Sequence, residues 1–135
     1  MKRFVAIILL AMFPLSVLAR PESWAFVQSV GGIVVEPPAR DDQGWSLPIR
    51  ANVSGLEAAS VKPTTLNSAL ICERTLAKVE GSNVYLTIVS GLVRSNTSAR
   101  CPPAVLGEIS RGKYTVFYRG PDEQPVHIRD VSIGL

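Results

Sequence analysis

Residues 69–90 read ALICERTLAKVEGSNVYLTIVS, and this stretch decides the fold class. Ala69 to Val79 reads as one strand, Glu80-Gly81-Ser82-Asn83 as a tight turn, and Val84 to Ser90 as the partner strand. In the second strand Val84, Leu86 and Ile88 fall on one side, and Tyr85, Thr87 and Val89 on the other. That alternation has the period of two that a pleated backbone imposes. A short Gly-containing turn between two such runs is a β-hairpin signal.

Short strands continue on both sides of the hairpin. Upstream, Trp24-Ala25-Phe26-Val27 and Ile33-Val34-Val35 are brief apolar runs around Gly31-Gly32, and Trp45 to Val53 alternates through Leu47, Ile49 and Ala51. Pro48 inside that last run predicts an edge position or a bulge, because proline cannot donate to a ladder. Residues 54–68 read as a loop with at most one helical turn, closed by Pro63. Downstream, Ala104 to Ile109, Lys113 to Tyr118 and Val126 to Ile133 read as strands. In the last of these, Val126, Ile128 and Asp130 share one face, and His127, Arg129, Val131 and Ile133 the other. Neither face is clean, which predicts a bulge or an edge. Gly and Pro punctuate the chain about every ten residues, as turns between strands do. The expected fold is all-β: an antiparallel β-sandwich of seven or eight short strands, with a small barrel as the alternative.

The N-terminus sets the compartment. Met1-Lys2-Arg3 is followed by ten apolar residues, Phe4 to Phe13, then Pro14 and the small-residue ending Val17-Leu18-Ala19. This is the layout of a secretory signal peptide with cleavage after Ala19, and the basic, compact form is bacterial in character. The run is too short to span a bilayer, which takes roughly 20 apolar residues. The domain organisation is therefore residues 1–19 as signal and 20–135 as one domain. Export to the periplasm or the medium is expected.

The bulk composition reads differently without that segment. The 135-residue chain has a formal charge of +3 and a mean hydropathy of +0.23. Without residues 1–19, twelve basic residues face eleven acidic ones, leaving +1, and no methionine remains. The apolar share falls to about 41%, ordinary for a globular domain. A near-neutral domain gives little reason to expect nucleic acid or anionic lipid as a partner.

Two cysteines remain, Cys72 and Cys101. An even count in an exported chain predicts a disulfide. Two isolated cysteines and one distant histidine lack zinc spacing, and no C-x-x-C redox pair occurs.

Leu106 to Tyr118 reads LGEISRGKYTVFY, with Ile109, then Gly112, then G-x-Y-x-V-x-Y. The stretch resembles small secreted β-sandwich domains of the immunoglobulin-like and fibronectin-III-like kind. The resemblance implies that Tyr114 ties a strand crossover through its hydroxyl. It covers about a tenth of the chain and implies architecture, not activity. Cys101 precedes the tyrosine instead of following it by two, so the immunoglobulin cysteine pattern is not met.

Catalytic and cofactor signatures are missing. His127 is the one histidine, no G-x-S-x-G elbow accompanies it, and a histidine on a strand face usually packs or meets solvent. Asp41-Asp42 and Asp122-Glu123 are neighbours in turns, without the facing geometry of glycosidase carboxylates or the spaced oxygens of a calcium site. No phosphate-binding glycine loop occurs. The triplets Asn52-Val53-Ser54 and Asn96-Thr97-Ser98 match the glycosylation pattern, but a bacterial chain is not expected to carry the modification. No metal, cofactor or catalytic residue is expected.

The remaining candidate is the polar loop Gly91 to Arg100, braced by Cys101 and Pro102-Pro103. Arg94, Asn96 and Arg100 are its candidate partner-binding residues, since a loop held by a rigid scaffold is a usual place for recognition. A plain solvated connection is the commoner use of such a loop. The expected function is a small exported binding domain that engages another protein in the periplasm, as an inhibitor or accessory subunit. The alternatives are a small hydrolase built on His127 and a surface-polymer subunit joined by strand addition.

Overall fold

The computed structural model describes residues 19–53, 70–92 and 100–135. Among them are ten strands and one short helix. In chain order these are β1 (Arg20–Pro21), α1 (Trp24–Ser29), β2 (Ile33–Val35), β3 (Ala39–Asp41) and β4 (Gly44–Leu47). They continue with β5 (Ile49–Ala51), β6 (Leu70–Glu80), β7 (Asn83–Leu92), β8 (Ala104–Gly107), β9 (Gly112–Tyr118) and β10 (Val126–Ile133). The fold is all-β, with strands arranged in three sheets and one disulfide, Cys72–Cys101.

The hairpin forms as its sequence predicts. Strands β6 and β7 pair antiparallel from Leu70↔Leu92 to Glu80↔Asn83, closed by the two residues Gly81 and Ser82. Gly81 takes φ 61°, a conformation glycine adopts without steric cost. Val84, Leu86 and Ile88 are fully buried. Burying each stabilises the fold by about 1.5–3 kcal/mol relative to exposure. Strand β7 then organises the largest sheet. It pairs β6 along one side, and on the other it pairs β9 in parallel through Asn83–Leu86 and β1 antiparallel at Val89 and Ser90. Strand β10 adds antiparallel to β9.

The ambiguous faces of the last strand have a physical reason. The register of β10 shifts between His127 and Arg129. The extra residue reverses the alternation, so Val126 and Ile128 lie partly buried, and Val131 and Ile133 are buried beyond the bulge. The expectation that Val131 and Ile133 oppose Val126 and Ile128 is corrected by that shift.

Three expectations upstream are also corrected. Trp24–Val27 belongs to α1, not to a strand. Ser23 caps it by accepting from Phe26 N at 3.1 Å, and Glu123 Oε1 accepts from Trp24 N at 2.9 Å. Gly31 and Gly32, at φ 105° and 86°, donate to Gln28 O and Val27 O and stop it. Six residues are too few to display a helical period. The Trp45–Val53 run is two strands, because Pro48 ends β4 and the chain enters another sheet as β5. The loop predicted from Gly91 begins later, since β7 runs through Leu92. These divisions, with the short β1 and β3, give ten strands where seven or eight were expected.

One core joins the sheets. Val35, Ile49 and Ala51 from the β2–β5 pair and Leu47 and Ala104 from β3–β4–β8 pack with the inner face of the five-stranded sheet and with Val27 of α1. Tyr114 Oη donates to Ser110 O at 2.7 Å, where the chain passes from β8 in one sheet to β9 in another. That is the tie implied for Tyr114.

Candidate functional site

The site is built on the smallest sheet. Strands β2 and β5 pair with Val34 opposite Arg50, flanked by Val35↔Ile49 and Ile33↔Ala51. Val35, Ile49 and Ala51 point into the core, each at most 5% exposed. Alternation therefore sends Val34 and Arg50 outward. Val34 is 49% exposed, unusual for a large apolar side chain, and the Arg50 side chain is 62% exposed. Glu36, just past β2, meets Arg50 Nε through Oε1 at 3.0 Å.

The disulfide brings a second arginine to the same place. Cys72 lies on β6 of the large sheet, and Cys101 packs with its Sγ 3.9 Å from Ala51 O on β5. The bridge, Cα to Cα 4.9 Å and buried in the core, thus fixes the chain entering β8 beside Ala51 of the small sheet. Arg100 precedes it and is exposed.

Two depressions meet at these arginines. One, of about 390 Å³, is lined by Val30, Gly31, Gly32, Val34, Arg50, Ala51, Asn52 and Arg100. The other, of about 410 Å³, is lined by Glu36, Pro48, Ile49, Arg50, Arg100, Cys101, Pro102 and Pro103. Both sizes suit a side chain or a short stretch of peptide. Gly31 and Gly32 leave bare main chain, with no atom within 4 Å of where a Cβ would stand. The prolines give the opposite end a fixed backbone. Among the described residues, the charged side chains lining the cleft are those of Arg50, Arg100 and Glu36.

Of the candidates read from the sequence, Arg100 lines this cleft, while Arg94 and Asn96 lie outside the described residues. Asn52, from one glycosylation triplet, is also at the cleft. The triplet at Asn96 lies outside the described residues. Val34, Glu36 and Arg50 were not foreseen, because their meeting depends on the β2–β5 register. The signal available was Arg50 alternating with Ile49 and Ala51, an outward cation on a half-buried strand.

His127 stands elsewhere, on the outer face of the large sheet. Its Nε2 is 3.2 Å from Asp130 Oδ1, and its ring meets the edge of Phe117 with centroids 6.0 Å apart. Among the described residues no serine hydroxyl bonds to it. His127, Phe117, Tyr85 and Lys78 form one registered row across β10, β9, β7 and β6. Tyr85 and Phe117 stack at 5.4 Å, and the Arg119 guanidinium covers Tyr85 at 3.7 Å. The ring faces are spent on one another, so the row braces the sheet instead of offering a flat platform.

The acidic pairs serve turns and a cap. Asp41 Oδ1 accepts from Gln43 N at 2.8 Å, and Glu123 caps α1. Among the described residues no group of three or more His, Cys, Asp or Glu side chains could hold a metal. No described helix is long and apolar enough to cross a membrane. No protein-family model matches the chain, and it has no significant match among curated proteins or solved structures.

Proposed function

We propose that the chain is a small exported binding domain that engages another protein through the cleft at Arg50 and Arg100, as a periplasmic inhibitor or accessory subunit. The observation that carries the reading is Arg50, exposed where two depressions meet, with exposed Val34 opposite it on β2 lining one of them. An apolar contact beside guanidinium donors is the composition of a recognition surface, where Arg is enriched. Rigid walls support it, since a preformed groove loses little entropy on binding. The disulfide fits an oxidising compartment.

Strand addition is less favoured by β10. It pairs only β9 among the described residues, but its bulge and its exposed His127, Arg129 and Asp130 blunt the edge.

The test is photo-crosslinking in the cells that export the chain, with benzoylphenylalanine at Val34 and, as control, at exposed Val105 on β8. The reading expects an adduct with a second protein from position 34 that disappears in the R50A/R100A double variant. No adduct from position 34, or an adduct indifferent to both arginines, overturns it.

A further inference from the structure

We infer that the folded domain shields its own processing site: docking of β1 builds the Ala19–Arg20 peptide bond into the large sheet, so removal of the N-terminal segment has to precede closure of that sheet. The inference rests on the export part of the functional reading and is independent of the cleft at Arg50.

The apolar run Phe4 to Phe13 lies outside the described residues, but both residues of the expected cut lie within them. Ala19 is half-buried, and β1 begins at the next residue. Three sets of contacts then hold the chain. First, Arg20 stands opposite Ser90 and Pro21 opposite Val89. Pro21 has no N–H, so Arg20↔Ser90 is the pair that exchanges both main-chain bonds. The nitrogen of the Ala19–Arg20 bond is thus itself a rung of the ladder. Second, Glu22 N donates to Ile88 O at 2.9 Å. The returning bond, from Ile88 N to Glu22 O, is replaced by the Tyr118 hydroxyl, which accepts from the first at 3.2 Å and donates to the second at 2.5 Å. Third, the Glu22 side chain is only 5% exposed, with its carboxylate on Ser90 Oγ at 2.7 Å.

An endopeptidase takes its substrate as an extended strand and pairs with the same main-chain groups that a sheet uses. Backbone that is buried and already hydrogen-bonded is a poor site for cutting. Residues 20–22 must therefore leave β7 before an enzyme can hold the bond, and Tyr118 acts as the latch that opposes their leaving. Hydrolysis breaks the bond from Ala19 C to Arg20 N. The oxygen of water goes to the Ala19 carboxylate, and both its protons go to the Arg20 nitrogen, which becomes an ammonium. That nitrogen still has a proton to donate to Ser90 O, so the cut strand docks as the uncut one does. The bond is open to hydrolysis before β1 docks, and the product keeps the rung afterwards.

The experiment uses the full-length chain in detergent micelles with purified bacterial signal peptidase, and a mass measurement of the product beginning at Arg20. One sample is diluted from urea straight into the enzyme. Another is refolded with its disulfide closed before the enzyme is added, and should be cut at least about tenfold more slowly. Inserting Gly-Ser-Gly-Ser-Gly-Ser between Ala19 and Arg20 should restore fast cutting of the refolded chain, because the bond then stands clear of the ladder. Tyr118→Phe and Ser90→Ala should each speed cutting of the refolded chain about fivefold or more by favouring local opening of β1. Phe117→Ala, whose missing ring meets Tyr85 and His127, should leave the rate unchanged. Circular dichroism reports that each variant has refolded. Equal rates for the urea-diluted and refolded samples overturn the inference, as does a spacer form that stays resistant. Equal acceleration by Tyr118→Phe and Phe117→Ala overturns the latch at Tyr118, since opening would then be global. If even the urea-diluted chain is not cut between Ala19 and Arg20, the export reading fails and this inference with it, while the crosslink from position 34 still decides the cleft.

Discussion

The hydroxyl of Tyr118 donates to the main-chain carbonyl of Glu22 at 2.5 Å, joining residues 96 positions apart. The same oxygen accepts from Ile88 N at 3.2 Å, so one buried phenol on β9 ties β7 to the residue that follows β1. Glu22 is also buried, and its carboxylate accepts from Ser90 Oγ at 2.7 Å and Arg20 Nε at 3.1 Å. Tyr118→Phe leaves two buried main-chain groups short of a partner. The expected cost is about 1–3 kcal/mol, and a thermal melt should show the midpoint lowered by about 5–10 °C.

The same phenol gives a pH dependence. Burial, opposed by the Ile88 hydrogen bond and reinforced by the nearby Glu22 and Glu123 carboxylates, pushes its ionisation up to about 12 from an ordinary 10.0. The folded state therefore holds this proton more tightly than the unfolded chain. Its contribution is fully present below pH 10 and is lost as the pH rises from 10 towards 12. Urea unfolding at successive pH values should show stability falling across that window, with a shallower fall in Tyr118→Phe.

Removing the disulfide by Cys72→Ala and Cys101→Ala opens a loop with a sequence separation of 29. Chain entropy sets the expected loss at about 3.5 kcal/mol. Denaturant unfolding with and without reductant measures it, and the reductant should leave the double variant unchanged.

Glycine positions should divide sharply. Gly44 has φ 110°, and a Cβ there would fall against the main chain of Gly107, where β4 pairs β8. Gly44→Ala should cost at least about 3 kcal/mol. Gly81 has φ 61° and nothing within 4 Å of a Cβ, so Gly81→Asn should change stability by less than about 1 kcal/mol. Melting both variants beside the wild type tests the contrast.

The row on the outer face gives a control for the cleft. Phe117→Ala removes a ring that stacks on Tyr85 and meets His127. A half-buried ring in such a row should cost about 2 kcal/mol. The crosslink from position 34 should survive. Its loss in a folded Phe117→Ala protein would move the partner's site to this face.

What was legible in the sequence was local. The β6–β7 hairpin could be read because its alternation and its Gly81-Ser82 turn lie within one stretch. The bulge in β10 announced itself through faces that failed to separate. The cleft was not legible, since Arg50 gains meaning only from standing opposite Val34 and beside Arg100. The first relation is a register between separate segments, and the second is set by the disulfide. The break at Pro48 was half-read: proline marked an interruption, but not that the chain would change sheets. Helix α1 escaped because cap and stop residues, not periodicity, define so short an element.

The parallel pairing of β7 with β9 has a consequence for how the molecule is assembled in time. A hairpin zips from its turn, but Asn83 can meet Thr115 only after the intervening chain has crossed to another sheet as β8 and returned. Strand β1 occupies the same side of β7, beyond β9. The first strand and the second-to-last strand thus dock on one template that is itself made in mid-chain. The β6–β7 hairpin is the natural nucleus, and closure waits on long-range diffusion, the slow step for non-local sheets. A chain delivered from its N-terminus would hold β1 without β7 until β7 emerges, and could not complete its sheet before β9 and β10 have followed.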